Sequence, residues 1–429
     1  MKKNINYIGL LALGIAFVAC EPKIEGPSFS NGDADFSRYV AVGNSLTAGY
    51  ADGDLYLSGQ LQSFPALIAE QMDEVGGGSF TQPLMFDELG FGNRKKLDYV
   101  EDCNGDVSLS PTEMEGQPSS QNFANISDQG PYNNIGVPGI RVVEMQFSGY
   151  EQFNPYFARF KADNAETVLD HADLINPTFF TLWIGNNDVL GHALNGSAAG
   201  TAITGQATFE AAYRGVLTQL TANGAKGVVA NIPDITAIPH FTTIPYNALV
   251  IDEAQANQLN LLYALNPNVS FQAGANAFVI QDGAEVRHMT ENELLVLTLP
   301  LDDVKCNNYG SILPFRDEHV LTEDEIDELK TAVEGYNASI KALATEFNVG
   351  VVNANGYFNK LASNGISFDG VDFSTTFVSG GVFSLDGIHP TPRGNALIAN
   401  EFIDVINKKY DANVPHVNAV AYDGVQFPN

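Results

Sequence analysis

Apolar residues recur along the chain in two patterns, as short continuous runs and as longer stretches with helical spacing. The clearest short run is 178–184, and similar runs occupy 38–42, 227–232 and 349–352. Each run stops at glycine, asparagine or proline. Runs of this kind, rich in β-formers and without a polar face, are typical of strands that helices cover on both sides. We therefore expect them to form a parallel sheet, with 133–135 as a further short strand.

Helical spacing predicts five helices between and after these strands, over 64–72, 140–147, 209–221, 322–347 and 392–410. Thr322 followed three residues later by Glu325 fits a capping box at the start of the fourth. Strands that alternate with helices favour an α/β fold, a parallel sheet between two layers of helices. In such folds ligands bind at the carboxyl ends of the strands.

Two long stretches, about 79–132 and 236–321, show no strong period and are interpreted as irregular insertions into the main domain, 36–410. They carry several aromatic side chains: Phe80, Phe86, Phe91, Tyr99, Phe241 and Tyr246. These aromatics could wall the binding groove and set its length, or they could give each insertion a small core of its own. The pattern leaves both alternatives open. Residues 411–429 read as an extended tail without an assigned function.

The N-terminus carries a different signal. Two lysines precede an apolar run of about twelve residues, 7–18, which is too short to span a bilayer. The run ends in Ala19-Cys20, which resembles the lipobox of bacterial lipoproteins. The resemblance implies that residues 1–19 are a removed signal peptide and that Cys20 carries a lipid, with 20–35 as a flexible tether. An ordinary signal peptide with a chance cysteine is the alternative.

Charge narrows the choice of partners. The chain has 21 Lys plus Arg against 51 Asp plus Glu, a net charge of −30. Nucleic acid is therefore not an expected partner, since phosphate binding needs clustered cations. Three cysteines are too few for a disulfide scaffold. If Cys20 is lipidated, Cys103 and Cys306 remain, and the sequence leaves open whether they pair in an oxidising envelope.

Four polar motifs fall at or near the carboxyl ends of the expected strands. The first is 43–49, Gly-Asn-Ser-Leu-Thr-Ala-Gly, which places Ser45 just after a strand between glycines. A helix that starts there would aim backbone N–H groups at an oxyanion formed on the serine. The simpler alternative is that Ser45 only caps the helix.

The second and third motifs could supply oxyanion donors. Residues 136–139 read Gly-Val-Pro-Gly, and the N–H of Gly139 could approach a ligand closely because glycine has no side chain. Residues 185–188 read Gly-Asn-Asn-Asp, and the side-chain amide of Asn187 is a suitable donor. Each motif taken alone also fits an ordinary turn.

The fourth motif is 386–390, Asp-Gly-Ile-His-Pro. A carboxylate three residues before a histidine can bond one ring nitrogen and stabilise the imidazolium, which leaves the other nitrogen to face a hydroxyl. Asp386 and His389 are therefore candidates for acid–base chemistry. The other six histidines show no comparable partner pattern.

The four motifs, in this order, resemble those of the SGNH hydrolases, also called the GDSL esterase and lipase family. The resemblance implies a flavodoxin-like three-layer α/β/α sandwich with a mostly parallel sheet of about five strands. It also implies ester hydrolysis without metal or cofactor. Ser45 would be the nucleophile, His389 the general base and then acid, and Asp386 its orienting carboxylate. The oxyanion hole would comprise the N–H groups of Ser45 and Gly139 and the side chain of Asn187.

One position departs from the family. The first block usually reads Gly-Asp-Ser, and here Asn44 stands in place of the aspartate. This change and the long insertions would also fit a non-catalytic binding lipoprotein on the same fold. A metal-dependent phosphoesterase is a weaker alternative, because the chain lacks that class's further His and Asp motifs near its first and last strands.

The resemblance gives a reaction and leaves the substrate open. The family spans esters of lipids, thiols, aryl alcohols and sugars, so the expected partner is a small-molecule, glycan or lipid acyl ester. The lipobox implies a second partner, the membrane that holds the lipid. Glu21 after Cys20, where an inner-membrane retention signal would have aspartate, favours the outer membrane of the cell envelope.

Overall fold

The computed structural model describes residues 28–197 and 202–428. The predicted signal peptide, the lipid site Cys20 and the first part of the tether lie outside these residues. No helix within them is long and apolar enough to cross a membrane.

Fifteen strands are present in the described chain, most of them short. In chain order, β1 to β15 are Tyr39–Gly43, Lys95–Glu101, Val107–Glu113, Asn134–Gly136, Phe179–Trp183, Lys226–Ala230, Leu249–Ile251, Gly274–Asn276, Val279–Asp282, Glu285–His288, Leu294–Leu295, Val320–Leu321, Gly350–Val352, Ile366–Phe368 and Val371–Phe373.

Thirteen α-helices accompany them. In chain order, α1 to α13 are Ser45–Ala48, Leu57–Leu61, Phe64–Asp73, Pro155–Phe160, Asp170–Ile175, Asn187–Ala193, Gln206–Thr221, Pro239–Thr242, Glu253–Leu262, Leu301–Cys306, Glu323–Glu346, Ala354–Asn364 and Pro392–Tyr410. Short 3₁₀ turns lie between them, one of which, Val142–Glu144, occupies the place of the helix predicted over 140–147.

The centre of the fold is a five-stranded parallel sheet in the order β13-β6-β5-β1-β4. Every residue of β1, β4 and β5 is buried, which explains why β1 and β5 read as continuous apolar runs in the sequence. β1 lies between β4 and β5. Gly43 at its carboxyl end pairs with Gly136 of β4 on one side and with Trp183 of β5 on the other. The predicted parallel sheet is therefore confirmed.

Helices cover both faces of this sheet, as the α/β prediction requires. On one face α13 packs against α3, and the rings of Phe179 and Trp183 from β5 contact α13 at Tyr410 and Phe402. Because side chains alternate along a strand, the intervening residues of β5 point to the other face. There α7 packs against α11, with Phe209 stacked on a tyrosine ring of that helix. The helices predicted near 64, 209, 322 and 392 are confirmed, and Thr322 forms the predicted capping box.

The stretch 79–132 is more ordered than its sequence indicates. β2 and β3 form an antiparallel hairpin with seven paired positions. The hairpin lies largely open to solvent, so its side chains alternate only weakly between apolar and polar and the sequence pattern does not reveal it.

The stretch 236–321 forms several two-stranded sheets, β7–β8 and β9–β10, with β11 pairing to β12. It has two small apolar clusters of its own, separate from the main core. These clusters lie around Phe315 and Phe271.

A disulfide joins the two stretches. Cys103, in the turn between β2 and β3, is bonded to Cys306 at the end of α10, with their Cα atoms 6.1 Å apart. Beside it Lys305 forms an ion pair with Asp102 at 3.0 Å. The pairing that the sequence left open is therefore present in the structure.

The segment after α13 is not a free extension. Its residues Val414, Val417 and Ala419 are buried against the main core. Two asparagines of α13, Asn400 and Asn407, bond the backbone of the returning segment. The tail therefore packs along the last helix.

Candidate active site

Ser45 lies where β1 ends and the short helix α1 begins. β1 ends at Gly43, where a Cβ atom would approach the carbonyl oxygen of Trp183 to 2.4 Å, so only glycine fits. Asn44 caps the helix: its side chain accepts a hydrogen bond from the Leu46 N–H at 3.0 Å. Ser45 is thus the first residue of the helix and not its cap, which leaves its hydroxyl for another partner.

Ser45, His389 and Asp386 form one hydrogen-bonded series. His389 Nε2 lies 2.8 Å from Ser45 Oγ, and His389 Nδ1 lies 2.8 Å from Asp386 Oδ2. An ionised carboxylate only accepts hydrogen bonds, so Nδ1 carries the proton and Nε2 of the neutral ring is an acceptor for the serine hydroxyl. The structure therefore brings together three residues that the sequence places up to 344 positions apart.

Asp386 is held by several further hydrogen bonds. Its Oδ1 accepts from the N–H groups of Ile388 and His389 at 2.8 and 2.9 Å and from Ser384 Oγ at 3.1 Å, and its Oδ2 accepts from the Gly53 N–H at 3.2 Å. Burial alone would raise the pKa of Asp386. The interaction with His389 and these hydrogen bonds outweigh burial and hold that pKa well below its usual range. Asp386 is therefore a carboxylate whenever the protein is folded near neutral pH.

Two residues that closely follow Ser45 in the chain contact the histidine loop, residues 384–390, which carries Asp386 and His389. Asp52 accepts a hydrogen bond from the Leu385 N–H at 3.0 Å and donates its own N–H to Ser384 Oγ at 3.0 Å. The ring of Tyr50 lies 4.7 Å from that of His389, centroid to centroid. Sequence reasoning missed these residues and Ser384. Their only signal was position, within seven residues of Ser45 or two of Asp386.

The histidine loop is also packed against the second insertion. His240 of α8 donates its N–H to the Gly387 carbonyl at 2.9 Å, and its ring Nδ1 lies 3.3 Å from the Asp386 carbonyl oxygen. Gly387 has a φ of +72°, and a Cβ there would lie 2.9 Å from the His240 nitrogen. His240, one of the six histidines without a predicted role, therefore holds the backbone of the loop.

Gly139 lies in the turn after β4, a strand that packs against the helix beginning at Ser45. β4 is the neighbour of β1, and the Val137 N–H continues their pairing by bonding the Gly43 carbonyl at 3.0 Å. Gly139 has a φ of +83°, is exposed, and has open space where a Cβ would stand. A positive φ favours glycine, and the missing side chain leaves the turn accessible to a ligand.

Asn187 is the first residue of α6, directly after β5. Its side-chain Nδ2 donates one hydrogen bond to the Ile140 carbonyl oxygen at 2.9 Å, which fixes the amide next to the Gly139 turn. A primary amide has two N–H donors, so the second is left for a ligand. Asp188 lies behind it and accepts from the Val142 N–H at 2.9 Å, so it ties the same turn to α6.

The residues that could hold a metal do not converge. Across residues 28–197 and 202–428, no three His, Cys, Asp or Glu side chains come together as ligands. The carboxylate of Asp188 in the third motif is directed to a backbone N–H.

The order and geometry of these motifs agree with a comparison against known families. The model of GDSL-like Lipase/Acylhydrolase matches residues 39–402. The chain belongs to this family. A comparison with proteins of curated description found no match.

Solved structures similar to this GDSL hydrolase include enzymes with different substrates in their names. A variant of an acetyl-xylooligosaccharide esterase from Geobacillus Stearmophilus has 10% sequence identity and a TM-score of 0.38, over 87% of this chain and 96% of that one. A lipase/acylhydrolase from Enterococcus faecalis has 11% identity and a TM-score of 0.34, over 88% and 98%. An extracellular lipase from Streptomyces rimosus has 14% identity and a TM-score of 0.31, over 86% and 98%.

In this GDSL hydrolase a pocket opens directly beside Ser45 and His389. Asn187 forms part of its wall, and the rest is mainly apolar, with Trp183 and Phe358 among its lining residues. The aromatics of the two insertions do not share one role. Phe91 packs against Tyr156 near the site, with the two rings tilted relative to each other. The other aromatics are buried or exposed away from the pocket: Phe80 and Phe241 pack into the core, Tyr246 packs in the second insertion, and Phe86 and Tyr99 are exposed.

Proposed function

We propose that this GDSL-family hydrolase cleaves carboxylic esters, with Ser45 as nucleophile, His389 as general base and acid, and Asp386 as the carboxylate that orients the histidine. The observation that carries the proposal is the hydrogen-bonded series itself, in which each ring nitrogen of His389 lies 2.8 Å from its partner. A serine hydroxyl is a weak nucleophile until a base removes its proton, and this geometry supplies the base.

The reaction proceeds in two halves. His389 Nε2 takes the proton of Ser45 Oγ as this oxygen attacks the ester carbonyl carbon, and Asp386 stabilises the imidazolium that forms. When the tetrahedral intermediate collapses, the carbon–oxygen bond to the alcohol breaks and His389 gives its proton to the departing alkoxide. Water then attacks the acyl-serine by the same route, releases the acid and regenerates Ser45.

The developing negative charge on the carbonyl oxygen needs donors that are already in place. The proposed donors are the backbone N–H groups of Ser45 and Gly139 and the second N–H of Asn187. Support comes from the strand order, since these residues follow β1, β4 and β5, which are neighbours in the sheet. Asn44 in the first block supports this arrangement as aspartate would, because its side-chain oxygen caps the helix that carries the Ser45 N–H.

Substitution of the nucleophile or the base tests the proposal. We expect Ser45→Ala and His389→Ala each to lower kcat on p-nitrophenyl esters by about 10⁶, the cost of losing such a residue in a serine hydrolase. Ser363→Ala, at an exposed serine, is the control and should leave kcat unchanged. Full turnover by Ser45→Ala would overturn the proposal.

A serine-reactive fluorophosphonate separates catalysis from binding alone. The proposal expects the probe to modify Ser45, as located by peptide mass spectrometry, and not to modify the His389→Ala variant at a comparable rate. A chain that leaves Ser45 unmodified and hydrolyses no ester would instead support the binding lipoprotein on the same fold.

A further inference from the structure

We infer that the pocket beside Ser45 receives the acyl chain of the substrate and admits only a short one, of about two to four carbon atoms. The substrate class is then the esters of acetic and similarly small acids. This inference rests on the proposed function, because it assigns one half of the ester to one side of Ser45.

The pocket is small. Its cavity volume is about 50 Å³. An apolar cavity of roughly 150 Å³ holds benzene, with six carbon atoms. A cavity of one third of that volume therefore holds about two carbon atoms, or slightly more where the acyl chain extends into the mouth of the pocket.

The chemistry of the wall favours an apolar group. Six of the lining residues are apolar and buried: Trp183, Leu190, Ile235, Ile238, Phe358 and Phe383. A hydrocarbon chain is stabilised by burial in such a site, whereas a sugar or glycerol hydroxyl would lose its hydrogen bonds to water.

The order of events also assigns the pocket to the acyl side. After the first half-reaction the acyl chain stays bonded to Ser45, while the alcohol must leave before water can attack. A recess walled by buried residues suits the part that stays. The exposed turn at Gly139 leaves an open side for the part that departs.

The floor of the pocket is rigid, so a longer chain cannot enlarge it cheaply. The Trp183 indole N–H donates to the Asn231 carbonyl at 3.2 Å, and its ring packs at 5.7 and 6.2 Å against those of Phe64 and Phe402, which stack on each other. Moving Trp183 would disturb the packing of α3 and α13 on the sheet. Phe358 of α12 is the more replaceable wall, because it comes from a single helix beyond the sheet edge and contacts Phe383 at 5.8 Å.

A series of p-nitrophenyl esters on the full chain tests the inference, from acetyl through propionyl, butyryl and hexanoyl to octanoyl. We expect kcat/KM to be highest at acetyl or propionyl and to fall about tenfold or more for each methylene that does not fit. Equal rates on acetyl and octanoyl esters, both lost in Ser45→Ala, would overturn the acyl inference and leave the proposed function intact. No hydrolysis of any ester would contradict both.

A variant with a larger pocket provides a second test of the inference. Phe358→Ala should move the best substrate toward butyryl and hexanoyl esters and raise kcat/KM on the hexanoyl ester about tenfold or more. Phe315→Ala removes the same volume from the core of the second insertion and should leave the chain-length profile unchanged. Phe358→Leu replaces the alanine variant if that one fails to fold. An unchanged profile in a folded Phe358 variant would contradict the assignment of the pocket.

Discussion

At the scale of single residues, the site combines groups with an obvious chemical role and groups that only hold them. His389 contacts both Ser45 and Asp386, and Asp386 accepts five hydrogen bonds in all. Asn187 differs from these residues because only one of its two N–H groups has a structural use, the bond to Ile140. The free donor makes it the most informative residue for testing the proposed oxyanion hole.

We expect Asn187→Ala to lower kcat by about 10²–10³ while KM changes little, because the lost hydrogen bond forms mainly in the transition state. Steady-state kinetics on p-nitrophenyl acetate measure both constants. Asn195→Ala, at an exposed asparagine just beyond the end of α6, is the matched control and should behave as the unmodified chain. A raised KM with an unchanged kcat would show that Asn187 binds the ground state instead.

Ser384 illustrates a residue that acts through another. Its hydroxyl donates to Asp386 and accepts the Asp52 N–H, so it links the carboxylate to the loop after α1. Ser384→Ala should lower kcat by about tenfold, since one of five hydrogen bonds to Asp386 is lost, a cost of about 1.5 kcal/mol for a bond to a charged group.

Ser384→Thr keeps the hydroxyl and should recover part of the rate, which a purely structural role would not require. The measurement is kcat on p-nitrophenyl acetate for both variants, together with their melting temperatures. Equal kcat values for the alanine variant and the unmodified chain would contradict the positioning role.

At the scale of elements, α6 and the turn after β4 are joined through a buried carboxylate. Asp188, in the first turn of α6, bonds the Val142 N–H, and burial raises its pKa to about 6 in spite of that bond. A raised carboxyl pKa means that the folded state binds a proton more tightly than the unfolded chain. The stability linked to that proton is fully present below the unfolded pKa and is lost as the pH rises through about 6.

The variant Asp188→Asn keeps the side-chain oxygen that accepts from Val142 and removes this dependence on pH. Urea unfolding of both proteins should show that the stability of the variant relative to the unmodified chain grows by about 1.4 kcal/mol between about pH 5 and about pH 8. The comparison cancels the contributions of other ionisable groups. A relative stability that is constant over this range would contradict the raised pKa.

The elements and motifs differ in how far the sequence alone predicts them. Strands such as β1 and β5 were predictable because full burial leaves a continuous apolar run, and the four motifs at their ends were predictable because each lies within a few consecutive residues. The hairpin β2–β3 was not, since its exposed faces impose little pattern.

The pocket and the supports of Asp386 also escaped prediction, for a different reason. Asp52 and Leu385 are hydrogen-bonded although they lie 333 positions apart in the chain. Trp183 and Phe358 line the same pocket only because the fold brings them there. No local sequence pattern therefore indicates these contacts.

At the scale of the whole molecule, the first described residues lie at the end of the fold opposite the site. The Asp33 N–H donates to the Tyr410 carbonyl, and Asn413 bonds the backbone of Ser28 and Ser30. Tyr410 ends α13 and bonds Gly227 at the start of β6, so these contacts lie at the amino ends of the parallel strands. Ser45 lies at the opposite, carboxyl ends, about 17 Å away along a five-residue strand.

We propose that Cys20 carries a lipid and that the active site consequently faces away from the membrane. Cys20 precedes Ser28 by eight positions, which limits its distance from that residue to about 29 Å.

The full chain should therefore sediment with membranes and the Cys20→Ala variant should remain in solution. Both should hydrolyse p-nitrophenyl acetate with the same kcat/KM, within about twofold, when the full chain is bound to phosphatidylcholine vesicles. Sedimentation of the Cys20→Ala variant would contradict the anchor. A full chain that loses activity on a water-soluble ester once bound to vesicles would contradict the proposed orientation.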